Sequence, residues 1–298
     1  MTKIKYIHCF GTSYTAGGGF EFESRHPNVR RDLIQVYGRC DEQLTQSNFS
    51  WPGQLQNLIG DFPFVLNHGK QGYGNDRTFR LVYELINKPD FKKEENLLIL
   101  EFAGLGRQDF FFKEVGDFVI CNYQMINDEN EYYPFFKYVG AAKSYGYDTD
   151  EITKKIDEYE SFFNTYIDKF IDFDVEQTKL VQQTDFFLSY LEKMGISFLF
   201  SMPPILNYRY DISKEIEFGD GKKFKKTNNF VQFTDDNNLR IIDETKEKYS
   251  DGHCGLKANK IISHCIYNKL VNDNYITNNT IPIDWDFYYK KDYLKKTI

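Results

Sequence analysis

Tyr6-Ile7-His8-Cys9-Phe10-Gly11-Thr12-Ser13-Tyr14-Thr15-Ala16-Gly17-Gly18-Gly19 is the stretch on which the fold turns. The apolar run over residues 4–10 reads as a buried strand; it stops on Gly11, and a small polar loop follows at once. Ser13 therefore stands where a strand hands over to a loop. In open α/β sheets that carboxyl-end edge is where ligands bind. Gly11 permits a tight turn, and Gly17 to Gly19 let backbone N–H groups approach an anion or a reacting oxygen. The competing reading is a plain glycine-rich first βα turn.

Working outward, the same strand-then-glycine design recurs. Residues 62–67 read as a second strand, followed by His68-Gly69-Lys70-Gln71-Gly72-Tyr73-Gly74-Asn75-Asp76 and a helix over 78–87. Residues 96–102 form the strongest strand signal, a continuous apolar run typical of central parallel strands. Ala103-Gly104-Leu105-Gly106-Arg107-Gln108-Asp109 is its loop. Ser50-Trp51-Pro52-Gly53 opens the helix before the second strand, with Ser50 a capping residue and Pro52 tolerated in the first turn. Helices are predicted over 151–173 and 176–194, then a fourth strand over 196–202 stopped by Pro203-Pro204. A short last strand over 239–243, a turn-rich loop over 249–255 and an amphipathic helix over 256–271 complete the pattern. Alternating strands and helices predict an α/β fold with a mostly parallel sheet of about five strands. The expectation is one domain over residues 1–298, with insertions above the strand carboxyl ends at about 20–48, 110–150 and 205–238.

Composition bounds the function. With 298 residues, 41% hydrophobic and 27% charged, the chain is globular rather than disordered. A net charge of -7 argues against a dedicated nucleic-acid surface, which needs clustered Lys and Arg. The five cysteines are odd in number and form no CxxC pair, so neither a disulfide framework nor a structural zinc site is expected. No run of about 18 apolar residues calls for a membrane helix, and the N-terminus lacks signal-peptide segments. A soluble, cytoplasmic protein without metal or cofactor is the expectation, its oligomeric state open.

The chemistry-bearing residues converge on one sheet edge. Ser13, the loop at Gly72 to Asn75 and the loop at Gly104 to Arg107 all follow strands, and Asp251 and His253 precede the last helix. Hydroxyl, imidazole and carboxylate in one crevice is the minimum set for a serine nucleophile. His68 is a neighbour of that crevice; each of these residues also has an ordinary turn or packing reading.

On these residues the chain resembles the SGNH (GDSL-like) hydrolases, esterases and carbohydrate deacetylases on a flavodoxin-like three-layer α/β/α sandwich. Gly11-Thr12-Ser13, Gly72-x-Gly74-Asn75 and Asp251-Gly252-His253 carry the resemblance, and the layout is similar to members found in phages and other viruses. The resemblance spans residues 4–105 and 239–271. It implies Ser13 as nucleophile, His253 as general base, Asp251 as orienting acid, and an oxyanion hole from Ser13 with Gly72 or Gly74. It also implies a small ester or acylated glycan as substrate, and a virion-associated location if the chain is viral. Two departures stand out. Where the family carries an Asn in its third loop, this chain has Gly104-Leu105-Gly106-Arg107, leaving Asn75 or Arg107 to supply the donor. One residue instead of two separates Asp251 from His253, which opens the alternative of a Ser13/His253 dyad. A non-catalytic carbohydrate-binding or virion-surface protein and a flavin mononucleotide module built on Thr12-Ser13-Tyr14-Thr15-Ala16-Gly17 are the competing readings.

Overall fold

A computed structural model of the chain describes residues 4–17, 48–70, 74–105, 107–112, 117–126, 131–135, 165–166, 169–201, 212–237, 239–242 and 250–286. For 111–112, 117–126, 131–135, 240–242 and 250–254 the description is of the backbone. Most of the expected insertion at 20–48, most of the helix expected over 151–173, Gly72 and Pro203-Pro204 lie outside the described residues.

Four parallel strands form the central sheet: β1 (Tyr6–Phe10), β2 (Phe64–Asn67), β3 (Asn96–Glu101) and a strand over Ser197–Ser201, taken below as β7. Their spatial order is β2-β1-β3-β7, the order of doubly wound sheets that reverse beside the first strand. In β3 every residue is buried, because it has a strand on each edge and helices on each face.

Alternation along the strands sorts side chains to two cores. Ile7, Cys9, Leu97, Ile99 and Leu199 meet α2 (Trp51–Ile59) and α6 (Leu256–Asn272) on one face. Phe10, Leu98, Leu100, Phe198 and Phe200 meet α3 (Asn75–Ile86) and α4 (Phe173–Lys193) on the other. Each helix presents a stripe at four-residue spacing: Trp51, Leu55 and Ile59 in α2, Thr78, Val82 and Ile86 in α3. The result is a three-layer α/β/α arrangement. Ser50 sits at the start of α2, but its hydroxyl makes no capping bond. Asn259 takes that role from α6, its Oδ1 accepting the Trp51 N–H at 2.8 Å.

Some expectations change. Among the described residues the parallel sheet has four strands, against an expectation of about five. The stretch expected as its last strand is β8 (Arg240–Ile242), which pairs antiparallel with β9 (Ser250–Cys254) in a separate two-stranded sheet. The segment expected as a turn-rich loop is thus a strand: its weak β propensity is overridden by pairing, with the Gly255 N–H closing onto Leu239 O at 2.9 Å. The insertion expected at about 110–150 contains a three-stranded antiparallel sheet: β4 (Arg107–Phe112), β5 (Asp117–Ile126) and β6 (Glu131–Phe135). It starts at Arg107, inside the third glycine loop. The insertion expected at about 205–238 contains α5 (Phe230–Asp236), whose Phe230 and Phe233 are buried in the first core.

Candidate functional site

Directly after β1 the chain turns into the short helix α1 (Ser13–Ala16), with Thr12 at its N-cap. Thr12, Ser13 and Thr15 are all buried. What holds them is Glu101, the last residue of β3, itself 4% exposed. Its Oε1 accepts the Thr12 hydroxyl at 2.6 Å, and its Oε2 accepts the Thr15 N–H at 2.9 Å and the Thr12 N–H at 3.3 Å. The Thr15 hydroxyl donates to Oε2 as well. Burial pushes the Glu101 carboxyl up, while these bonds and the nearby Arg107 charge oppose the shift. Gly11 is obligatory beneath this clamp: a Cβ there would lie 2.8 Å from Glu101 Cβ. Four donors on one buried carboxylate fix the turn that carries Ser13.

That clamp bears on the flavin reading. A phosphate loop must aim its N–H and hydroxyl donors at the ligand, whereas here Thr12 and Thr15 give theirs to Glu101. A phosphate would also meet a carboxylate.

The second loop is tied to the third. Asn75 is 6% exposed; its Oδ1 accepts the Ala103 N–H at 2.7 Å and its Nδ2 donates to Ala103 O at 3.0 Å. Asn75, singled out as an oxyanion donor, is thus first of all a clip between the loops after β2 and β3, with one N–H left over. Gly74 lies at the N-cap of α3, and a Cβ there would stand 2.6 Å from Arg107 O, so only glycine lets these loops approach. Gly104 has open space around it. Arg107, at the start of β4, is lowered by burial, with the Glu101 and Tyr14 charges opposing. It therefore belongs to the same electrostatic cluster as the Ser13 turn.

His68, expected beside the crevice, is engaged with β1. Its ring stacks on Phe10 at 4.5 Å and on His8 at 5.2 Å. Asn96 Nδ2 donates to Lys92 O at 2.7 Å, which leaves Asn96 Oδ1 to accept from His8 Nε2 at 2.8 Å. His8 Nδ1 then accepts from His68 Nε2 at 3.0 Å, so the network assigns both rings as neutral Nε2–H tautomers. Burial, then the His8 and Arg77 charges, push His68 down to about 4, and burial lowers His8 too. For a base with a depressed folded value, the unfolded chain takes up protons first as pH falls below about 6.5. Stability is therefore expected to be fully present above that pH and to drop by up to about 3 kcal/mol toward pH 4. Urea unfolding at pH 7 and pH 4.5 measures this; a drop undiminished in His68→Asn would contradict the assignment.

β9 carries Asp251 and His253 and makes contact with α1, which carries Ser13. Asp251 and His253 lie where the β8–β9 pairing shifts register, between the pairs Arg240–Cys254 and Ile242–Ser250. Ser13, the Gly74 turn, Gly104 and Arg107 converge on the carboxyl edge of the sheet, where β9 joins them. Among the described residues no group of His, Cys, Asp or Glu is arranged to hold a metal ion, and no helix is long and apolar enough to cross a membrane.

Three roles were missed by the sequence reading. Glu101 was absorbed into an apolar strand, although a lone carboxylate ending such a run is the available signal. Thr12 and Thr15 read as parts of the Gly11-Thr12-Ser13 motif and the phosphate-loop alternative, not as donors to a buried carboxylate.

No family model matches the chain, and no curated protein matches it. A solved crystal structure is similar over 91% of this chain and 98% of its own, at 13% identity and a TM-score of 0.32, a likeness too low to carry an argument.

Proposed function

We propose that the chain is a serine hydrolase that cleaves an ester through an acyl-enzyme, with Ser13 as nucleophile, His253 as general base and Asp251 as the acid orienting it. The observation that supports this reading is the contact between α1 and β9, since it joins the hydroxyl-bearing turn to the strand with imidazole and carboxylate. His253 takes the Ser13 proton as Oγ attacks the ester carbonyl. The backbone N–H groups of Ser13 and Gly74 then face the developing oxyanion, and Arg107 supplies positive charge where the usual third-loop amide is missing. The proton passes to the leaving alcohol, and water repeats the sequence to release the acid.

A second reading, a non-catalytic binding protein on the same fold, is favoured by one observation: Asn75 spends its amide on Ala103. Labelling by a fluorophosphonate separates the two. The hydrolase reading expects covalent modification at Ser13, located by peptide mass spectrometry, together with turnover of p-nitrophenyl acetate. Absence of both, in protein folded by circular dichroism, would sink the hydrolase reading and leave the binding one.

A further inference from the structure

A cavity of about 360 Å³ opens beside the candidate site, between α3, β4 and α4. Asn75, Gly104 and Arg107 form the end of its wall that it shares with that site; Asp76, Asp109 and Glu176 bring three carboxylates. Two of these are already satisfied in part. Glu176 accepts from Gln108 at 2.9 Å and from Lys179 at 2.6 Å, and Asp76 Oδ2 accepts the Asp109 N–H at 3.2 Å.

Asp109 differs. Its side chain is 1% exposed, and Oδ2 lies 3.4 Å from Arg80 Nη1. Its Oδ1 is buried with no hydrogen-bond partner among the described residues, although the side chain lines the cavity. An acceptor stripped of water and left without a donor is destabilising, more so when charged. Such an atom at a cavity wall is what a ligand donor would complete. Burial and the neighbouring Asp76 push Asp109 up to about 6, so near pH 7 it is mostly a carboxylate and an acceptor.

Charge decides which donor. Asp76, Asp109, Glu176 and Glu101 are offset by Arg77, Arg80, Lys179 and Arg107, each of which acts on one of those carboxylates. In the lining itself Asp76, Asp109 and Glu176 stand with Arg107 and Lys179, and Arg80 pairs with Asp109 from beside it, so charge is close to balance and no strong field selects an ion. We propose that this cavity is a subsite for a neutral, hydroxyl-bearing group, the polyol portion of the substrate's alcohol, which donates to Asp109 Oδ1. Gln183 on the rim adds an amide group for further hydroxyls, and Phe110 offers a ring against which C–H faces pack. The inference rests on the hydrolase reading only for the word substrate; the binding itself needs no chemistry.

The test uses sorbitol, and glucamine as its cationic counterpart on the same skeleton, with the full chain and saturation-transfer NMR. Neither probe contains an ester, so binding is read without hydrolysis. Sorbitol is expected to bind saturably, glucamine no more tightly. In Asp109→Asn the amide oxygen stays with Arg80 and the NH₂ turns to the cavity, so the acceptor becomes a donor; sorbitol affinity is expected to fall about 10-fold or more. Gln183→Trp, at an exposed position of α4 on the cavity rim, is expected to block binding without disturbing the core. No saturable binding of sorbitol, binding indifferent to both substitutions, or glucamine binding much more tightly would each overturn the proposal. Sorbitol binding with no fluorophosphonate labelling would sink the hydrolase reading alone. Labelling and turnover with no sorbitol binding would sink the subsite alone.

Discussion

Replacing Ser13 by Ala is expected to lower p-nitrophenyl acetate turnover by about 10⁴-fold or more, and His253→Ala to cost nearly as much. The two act as one unit, since an unactivated hydroxyl is a poor nucleophile and an imidazole without the hydroxyl has nothing to deprotonate. Combining them should therefore add little to either alone, whereas two independent contributions would multiply. Ser13 is 3% exposed within a turn whose bonds run through Thr12 and Thr15, so removing its oxygen leaves the clamp in place. The variant should fold as the parent does. Asp251→Asn then decides between triad and dyad: a loss of about 10²-fold or more assigns the orienting acid, while a loss under 10-fold leaves Ser13 and His253 as a pair. Turnover unchanged in Ser13→Ala would remove this residue from the chemistry.

The second large effect is structural. Glu101→Ala is expected to cost about 3–5 kcal/mol, because it strands four buried donors and deletes a carboxylate that sits within the Arg107 field. Glu101→Gln should cost far less, about 1 kcal/mol. Its carbonyl oxygen can take the place of Oε2, which receives both backbone N–H groups, while its NH₂ donates to a Thr12 hydroxyl that only has to rotate. Urea unfolding of the three proteins checks the order. Activity should follow the same ranking if the clamp positions Ser13. An alanine variant within 1 kcal/mol of the parent would show that the four bonds carry little net stability.

Which parts of this were legible without coordinates follows from range. The strands at residues 6–10 and 96–101, the helices at 51–59 and 256–272, and Ser13 at a strand end are local properties: apolar runs, four-residue spacing and glycine stops. They survive translation into structure because burial on a parallel sheet rewards the same patterns that mark them. Asp251 and His253 were picked out as residues, but their place on a strand was not, since Ser-Asp-Gly-His-Cys has no strand propensity and extends only by pairing with residues 240–242. The Asn75 amide could be noticed as a donor near a glycine loop; that it clips Ala103 depends on two loops meeting 28 positions apart. Glu101 reads as the polar end of a good strand, and only a helix turn 86 to 89 residues away turns it into the anchor of the Ser13 loop. Asp109 owes its orphaned oxygen to α3 and α4 closing around it. By itself the sequence determined the layers, the sheet edge and the residue types present there. The tertiary structure decided which polar groups are spent holding that edge together and which are left facing the cavity, because a buried hydrogen bond depends on distances between segments that no local pattern encodes.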